Sequence, residues 1–245
     1  MADRDTLGRD KHPDRIAGMF DAIAPRYDLL NHLLSVGLDG RWRTRAIRAL
    51  ALAGGETVLD LCTGTADLAI AAATSARPAA RVVGVDFAGQ MLRFGRNRLA
   101  QRGLSDRVGL VQGDAMQIPL ASGSVDAATV AFGIRNVQEP ERAFADMLRV
   151  LRPGGRLAIL EFGVPRLPGI RQAYLAYFRH ILPRIGGLIS GHASAYAYLP
   201  ASVGTFPEPL RVMALLRETG FSDVRADSLT FGIVYLYSAS KPRLP

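Results

Sequence analysis

An acidic side chain closes the second of two predicted strands at a spacing typical of nucleotide-binding folds. The apolar run 58–61 leads into Cys62-Thr63-Gly64-Thr65-Ala66-Asp67 and then into an alanine-rich helix. Such a helix start presents backbone N–H groups and the positive end of the helix dipole to a ligand. The next predicted strand ends at Asp86, 22 residues after Gly64. A carboxylate there accepts hydrogen bonds from ribose hydroxyls, so Gly64 and Asp86 predict a ligand that contains adenosine.

The third predicted strand ends in Gly113-Asp114-Ala115, which adds a place for the adenine ring. We expect Asp114 to accept the adenine amino group and the Ala115 backbone N–H to reach a ring nitrogen. The turn after the first strand has one glycine, whereas a dinucleotide cradle of the Gly-x-Gly-x-x-Gly type has three. A cofactor without phosphates does not require that cradle, so the pattern favours S-adenosylmethionine over NAD.

Two longer blocks resemble the signatures of the ubiquinone/menaquinone biosynthesis C-methyltransferases. The first block covers residues 27–42 and the second covers residues 149–162. Shorter matches are Phe-Gly-Ile-Arg-Asn at 132–136, Tyr-Ala-Tyr-Leu at 196–199 and Leu-Thr-Phe-Gly-Ile-Val at 229–234. The resemblance extends from about Phe20 to Lys241. It is most specific at 27–42 and 132–136, because the Pro-Gly-Gly strand near 153–155 is common to many methyltransferases.

This resemblance implies methyl transfer from S-adenosylmethionine to a ring carbon of a prenylated quinol, without a metal. The favoured acceptor is demethylmenaquinol, with a ubiquinone-pathway methoxybenzoquinol or another small aromatic molecule as the alternative. The sequence departs from the family pattern at Ala66, where glycine is usual, at Ala131, where serine is frequent, and at His192, where an acid is expected. The family's cofactor contacts fall on positions that are retained: Thr65, Asp86, Asp114 and Ala115.

The acceptor chemistry requires groups that orient the quinol and stabilise a phenolate, because loss of a phenolic proton activates the ortho carbon. We predict that Arg135 and Asn136 hold the quinol oxygens and that Tyr27 lies over the site. A surface ion pair at Arg135 and a core position for Tyr27 within the cap are the structural alternatives. His180 and His192 are alternative bases. We expect segment 168–200 to form the groove for the prenyl tail and a membrane-facing surface, with an ordinary covering helix as the alternative.

The alternation of apolar runs and helical patterns predicts one domain over 1–245 with a Rossmann-like α/β fold. Its seven-stranded, mostly parallel sheet has helices on both faces and an antiparallel last strand. Residues 1–52 form a helical N-terminal cap, frayed before residue 13, and residues 164–207 form a helical and irregular insertion. The predicted strands are 57–63, 81–87, 108–113, 125–132, 155–162, 222–231 and 233–240. The predicted helices are 13–23, 27–35, 41–51, 66–76, 89–103, 139–151, 168–189 and 209–219.

Composition limits the class of protein and its partners. The chain has 245 residues, a net charge of +8, one cysteine and two lysines. A lone cysteine excludes an internal disulfide and a cysteine-based metal cluster. The scattered arginines argue against nucleic-acid binding, whereas the basic and aromatic stretch 162–207 suits an anionic membrane. We expect a cytoplasmic protein, peripheral at the inner face of the membrane. The oligomeric state stays open, a homodimer included, as do an NAD-dependent oxidoreductase and a silent RNA- or membrane-binding module.

Overall fold

The computed structural model describes residues 11–27, 32, 35, 37–177 and 193–243. Seven strands form one sheet in the order β3-β2-β1-β4-β5-β7-β6. Strands β1 to β5 pair in parallel, and β7 runs antiparallel to both β5 and β6. The predicted fold class is confirmed. The strands are β1 (Thr57–Leu61), β2 (Arg81–Asp86), β3 (Val108–Gln112), β4 (Val125–Ala131), β5 (Leu151–Phe162), β6 (Ser222–Leu229) and β7 (Val234–Ser240).

Helices cover both faces of this sheet, and the N-terminal cap covers the carboxyl ends of its strands. Short 3-10 turns lie at Ala24–Arg26, Ile134–Asn136 and Thr230–Gly232, the last of which joins β6 to β7. The described helices are α1 (Pro13–Ile23), α2 (Asp39–Ala49), α3 (Asp67–Ala73), α4 (Gly89–Gln101), α5 (Pro140–Val150), α6 (Pro168–Ala176), α7 (Ala193–Thr205) and α8 (Pro209–Thr219). Among them, none combines the length and apolar character needed to cross a membrane.

The central strands are apolar at successive positions because helices cover the sheet on both faces. Leu59 points to the face that packs against Phe144 of α5. Its neighbour Val58 points to the opposite face and joins a cluster with Ile47 of α2 and Ala69 of α3. Alternate residues of β1 therefore pack into two hydrophobic cores, one on each face of the sheet. This packing fixes the position of the strand and of the loop that follows it.

Two predictions about irregular backbone need correction. The strand predicted from residue 155, with Pro153-Gly154-Gly155 as the turn before it, instead begins at Leu151, and its register with β4 shifts between residues 151 and 156. The stretch predicted to be irregular after residue 189 contains helix α7, even though Pro200 lies inside it. Buried Tyr198 and Val203 pack this helix against the protein, and that burial offsets the backbone hydrogen bond lost at the proline.

A side chain of helix α1 caps the start of helix α4. Ala88 precedes α4 and has no side chain that can cap it. The Asp21 carboxylate of α1 accepts the Gln90 N–H of α4 at 2.8 Å instead. This contact holds the N-terminal cap over the carboxyl ends of the strands. Most of the second predicted cap helix, 27–35, lies outside the described residues.

Candidate functional site

A cavity opens at the carboxyl ends of β1 and β4, where the strand order reverses. That position is the usual ligand crevice of an open α/β sheet. The cavity and its open mouth together contain about 800 Å³ of space that protein atoms do not fill, open solvent included. The N-terminal cap, the ends of β1 to β4 and the loop after β4 supply its described lining: Lys11, Ile16, Phe20, Tyr27, Cys62, Gly64, Asp86, Phe87, Met91, Asp114, Ala115, Met116, Ala131, Phe132, Gly133, Asn136, Val137 and Gln138.

Asp86 is held in place at the end of β2 by backbone groups. Its Oδ2 accepts the Gly64 N–H at 2.8 Å, and its Oδ1 accepts the Ala88 N–H at 2.9 Å. Each oxygen keeps acceptor capacity for a second donor, such as a ribose hydroxyl. Burial raises the pKa of Asp86 to about 6, although the N–H groups of Ala88 and Gly64 oppose that shift. The carboxylate is therefore ionised at neutral pH and oriented before any ligand arrives.

The loop after β1 contains left-handed backbone at the cavity wall. Cys62 and Ala66 have φ angles of 54° and 69°, which cost a residue with a side chain about 1–2 kcal/mol each. Gly64 has a φ of 54°, and a Cβ at this position would project into open space. Thr65 is 2% exposed and does not line the cavity, and its carbonyl accepts Arg98 Nη1 at 2.9 Å. The loop thus brings Gly64 to the ligand side and turns Thr65 inward.

Asp114 and Ala115 lie on the cavity wall beyond the end of β3. Asp114 is exposed, and its Oδ1 accepts the Met116 N–H at 2.8 Å, which fixes the turn. Gly113 precedes them at a close approach, because a Cβ there would lie 2.9 Å from the ring of Pro119. The three predicted sites at the ends of β1, β2 and β3 therefore share one cavity.

Asn136 lines the cavity after β4, and Tyr27 lines it from the cap, where it packs near Ala88 and Met91. Asn136 is 7% exposed, and its Oδ1 accepts the Tyr198 hydroxyl of α7 at 3.1 Å. The Asn136 amide group is then oriented with its N–H₂ still able to donate. Tyr27 makes an edge-to-face contact with Phe20, with ring centroids 6.0 Å apart.

Arg135 lies behind this wall, in a buried ion pair that the sequence interpretation considered only at the surface. Its Nη1 donates to Glu161 Oε1 at 2.8 Å and also to the Phe132 carbonyl. Its guanidinium carbon lies 5.3 Å from the centre of the Phe162 ring. Glu161 is fully buried, and its Oε2 also accepts the Arg135 backbone N–H at 3.1 Å. The pair therefore clamps the 3-10 turn that carries Asn136 to the end of β5.

The structure thus brings Gly64, Asp86, Asp114, Ala115, Asn136 and Tyr27 together around one cavity, and it places Thr65 and Arg135 behind the wall. His180 and His192 lie outside the described residues. Sequence reasoning assigned no role to Glu161, Tyr198 or Lys11. Both Glu161 and Tyr198 fall within the quoted family matches, which was the available signal. Among the described residues, no group of three or more His, Cys, Asp or Glu side chains could hold a metal ion.

Sequence comparisons identify relatives that match nearly the whole chain. The model of the ubiE/COQ5 methyltransferase family matches residues 9–241. A ubiquinone/menaquinone biosynthesis C-methyltransferase UbiE from Syntrophotalea carbinolica is 49% identical, over 96% of this chain and 95% of that protein. A demethylmenaquinone methyltransferase from Thermus thermophilus is 46% identical, over 91% of this chain and 100% of that protein. One from Deinococcus radiodurans is 48% identical, over 91% of each.

Structural comparisons support the fold alone. The cyclase SpnF superposes with a TM-score of 0.68 at 19% identity, over 94% of this chain and 96% of that chain. A phosphoethanolamine N-methyltransferase of Haemonchus contortus, solved with S-adenosyl-L-methionine, gives 0.59 at 16% identity, over 85% of this chain and 57% of that chain. A cyclase and a methyltransferase share this architecture, so function has to be argued from the family and the site.

Proposed function

Since the chain belongs to the ubiE/COQ5 methyltransferase family, we propose a reaction for its cavity. A methyl group passes from S-adenosylmethionine to a ring carbon of a prenylated quinol, with demethylmenaquinol as the acceptor. The observation that carries this proposal is the continuity of the cavity. It joins Asp86 at the end of β2 to Asn136 after β4, so an adenosine site and an acceptor site have a common interior.

The cofactor half of the cavity fits an adenosine that carries no phosphates. The Asp86 carboxylate accepts hydrogen bonds from the ribose hydroxyls. The Asp114 carboxylate accepts one from the adenine amino group, and the Ala115 backbone N–H donates to a ring nitrogen. Gly64 leaves room beside the loop where a side chain would otherwise project. When bound, the cofactor supplies an electrophilic methyl group on a sulfonium. The protein residues orient it, and positioning of two reactants can contribute several kcal/mol to the barrier reduction.

The acceptor half is apolar and aromatic, as a quinol ring requires. Phe132 lines it and stacks on Phe162 with ring centroids 4.5 Å apart, so the wall is rigid. Asn136 donates its N–H₂ to a quinol oxygen, because Tyr198 occupies its carbonyl oxygen. Tyr27 covers the ring from the N-terminal cap. Arg135 stabilises negative charge on the phenolate from behind the wall through its guanidinium group.

Peripheral contact with a membrane belongs to this proposal, because a prenylated quinol is dissolved in lipid. Leu167 is 56% exposed, and the exposed Arg166 and Arg171 flank it near the start of α6. An apolar side chain between cations suits an anionic lipid surface. The remainder of the predicted membrane-facing segment, 178–192, lies outside the described residues.

The test is a product assay with methyl-labelled S-adenosylmethionine and two acceptors, demethylmenaquinol and a methoxybenzoquinol of the ubiquinone pathway. We expect a labelled quinol of one methyl greater mass with demethylmenaquinol. Calorimetry compares S-adenosylhomocysteine with NAD as ligands of the wild type and of Asp86→Ala. Failure of the wild type to bind S-adenosylhomocysteine, or transfer to the methoxybenzoquinol alone, would contradict the proposal for cofactor or acceptor respectively.

A further inference from the structure

Lys11 lies on the wall of the cavity, although the sequence predicts a frayed end at this position. It precedes α1, it is half-buried, and it lines the same space as Tyr27 and Asn136. Among the described lining residues it is the single basic side chain. Lys11 therefore forms part of the wall of the site, and a basic residue in that position requires a chemical explanation.

The charges that act on Lys11 locate it within the cavity. They belong to Glu161 at the end of β5, Arg135 after β4 and Glu141 at the start of α5. All three are on the β4–β5 side of the sheet, whereas Asp86 and Asp114 lie at the ends of β2 and β3. Lys11 thus lies at the acceptor end, on the side of the cavity where the proposed quinol binds.

Its surroundings shift Lys11 towards its neutral form. Burial lowers the pKa of Lys11, and the positive charge of Arg135 lowers it further, while Glu161 and Glu141 raise it without reversing the direction. A lysine of lowered pKa takes protons from phenols more readily at neutral pH, because more of it is unprotonated.

We propose that Lys11 is the proton acceptor for the quinol hydroxyl in this reaction. The inference rests on the proposed function, since it assigns a role within the same methyl transfer. The lone pair of Lys11 Nζ takes the hydroxyl proton, and the O–H bond electrons remain on the phenolate. The ortho carbon then forms a bond to the methyl group, and the electron pair of the broken S–C bond stays on sulfur. The methylated ring carbon then loses its proton to solvent, which restores the aromatic ring as a phenolate, and protonated Lys11 returns its proton to that oxygen. The net products are methylated quinol, S-adenosylhomocysteine and one proton.

Other described groups at the cavity are poorer acceptors. Burial raises the pKa of the Cys62 thiol well above its usual value, with the charges of Asp86 and Asp60 adding to that shift, so it stays protonated. The Arg135 guanidinium has no lone pair to offer. Asp86 and Asp114 lie at the cofactor end. Tyr27 is itself a phenol and has no driving force to deprotonate another phenol.

The experiment compares Lys11→Met and Lys11→Arg with the wild type and with Arg142→Met, an exposed cation of α5 that serves as the control. Turnover is measured from about pH 6 to about pH 10, below the ordinary lysine pKa of about 10.4, so a rise of kcat that levels off within this range reports a lowered pKa. Both Lys11 variants should lose about 100-fold or more in kcat, together with the rise of kcat with pH. Calorimetric Kd values for S-adenosylhomocysteine should stay within about twofold of wild type, which shows that each variant folds.

Lys11→Arg decides between two roles, because arginine keeps the positive charge but does not accept a proton. If this variant retains the wild-type kcat and pH profile, Lys11 acts only as a cation and the proposal is wrong. Wild-type activity in Lys11→Met would also overturn it. Failure of the proposed function has a different signature, because the wild type itself would then form no methylated quinol.

Discussion

Replacement of Glu161 by glutamine tests whether the buried ion pair with Arg135 organises the acceptor end of the cavity. Glu161 is fully buried and Arg135 is 5% exposed, so the substitution leaves a guanidinium without its counter-charge in a low-dielectric interior. Removing one partner of a buried pair costs about 3–5 kcal/mol. The Nε of Arg135 already has no hydrogen-bond partner among the described residues, and the Phe132 carbonyl that accepts from Nη1 is neutral and does not replace the lost charge.

The exposed pair between Arg142 and Glu139 provides a matched control. Its N–O distance is 2.9 Å against 2.8 Å in the buried pair, but its side chains are 62% and 53% exposed. Surface pairs of this kind contribute about 0.2–1 kcal/mol. The two pairs therefore have equal geometry and different burial, and Glu139→Gln should cost little.

Urea unfolding and thermal unfolding measure both variants. At about 2–4 °C per kcal/mol for a chain of this size, Glu161→Gln should lower Tm by about 6–20 °C. Its kcat should also fall, because the carboxylate accepts the Arg135 N–H and thereby holds the turn with Asn136. Affinity for S-adenosylhomocysteine should be retained, since two strands separate β5 from β2. Equal and small losses of stability in Glu161→Gln and Glu139→Gln would refute the argument.

Two further predictions concern the two ends of the cavity. The Kd for S-adenosylhomocysteine should rise by up to about tenfold per pH unit below pH 6, because burial raises the pKa of Asp86 to about 6 and only the ionised form accepts both ribose hydroxyls. Affinity is then complete above the pKa and is lost as the pH falls through it. Tyr198→Phe removes the hydroxyl that orients Asn136, so kcat should fall about tenfold while the S-adenosylhomocysteine Kd stays unchanged.

Each of these has its own control. Asp86→Asn should bind weakly at every pH, and a wild-type Kd that stays flat from about pH 8 to about pH 5 would show that the carboxylate does not titrate in this range. For the tyrosine, Tyr237→Phe on β7 removes a hydroxyl from a residue that does not line the cavity. Equal losses of kcat in Tyr237→Phe and Tyr198→Phe would remove the argument for a specific contact with Asn136.

The local sequence pattern predicts most of the sheet, because strands that are buried on both faces are continuous apolar runs. The runs at β1 and β2 are apolar and end in polar residues, so their ends and the position of Asp86 follow from the sequence. Helix α7 was missed because Pro200 indicates a break, whereas burial of Tyr198 stabilises the helix around it. Tertiary packing therefore outweighed local propensity.

The sequence predicts a site residue best when the residues that identify it lie in one short segment of the chain. Glu161 and Arg135 are 26 residues apart, and only the pairing of β4 with β5 brings them together. Lys11 reaches the cavity because α1 docks on α4 through Asp21, a contact 69 residues apart in the sequence. Periodicity in a short sequence window contains no information about such contacts. The positions of Glu161 and Lys11 at the site could therefore be found only from the structure.

The position of β7 between β5 and β6 also has a consequence for the order of folding during synthesis. Strands β1 to β4 and the Asp86 loop are synthesised early, and they contain the proposed adenosine site. Glu161 of β5 pairs in register with Tyr235 of β7, which is synthesised much later. A nascent chain can therefore form the cavity wall around Asp86 while β5 still lacks its neighbouring strand β7.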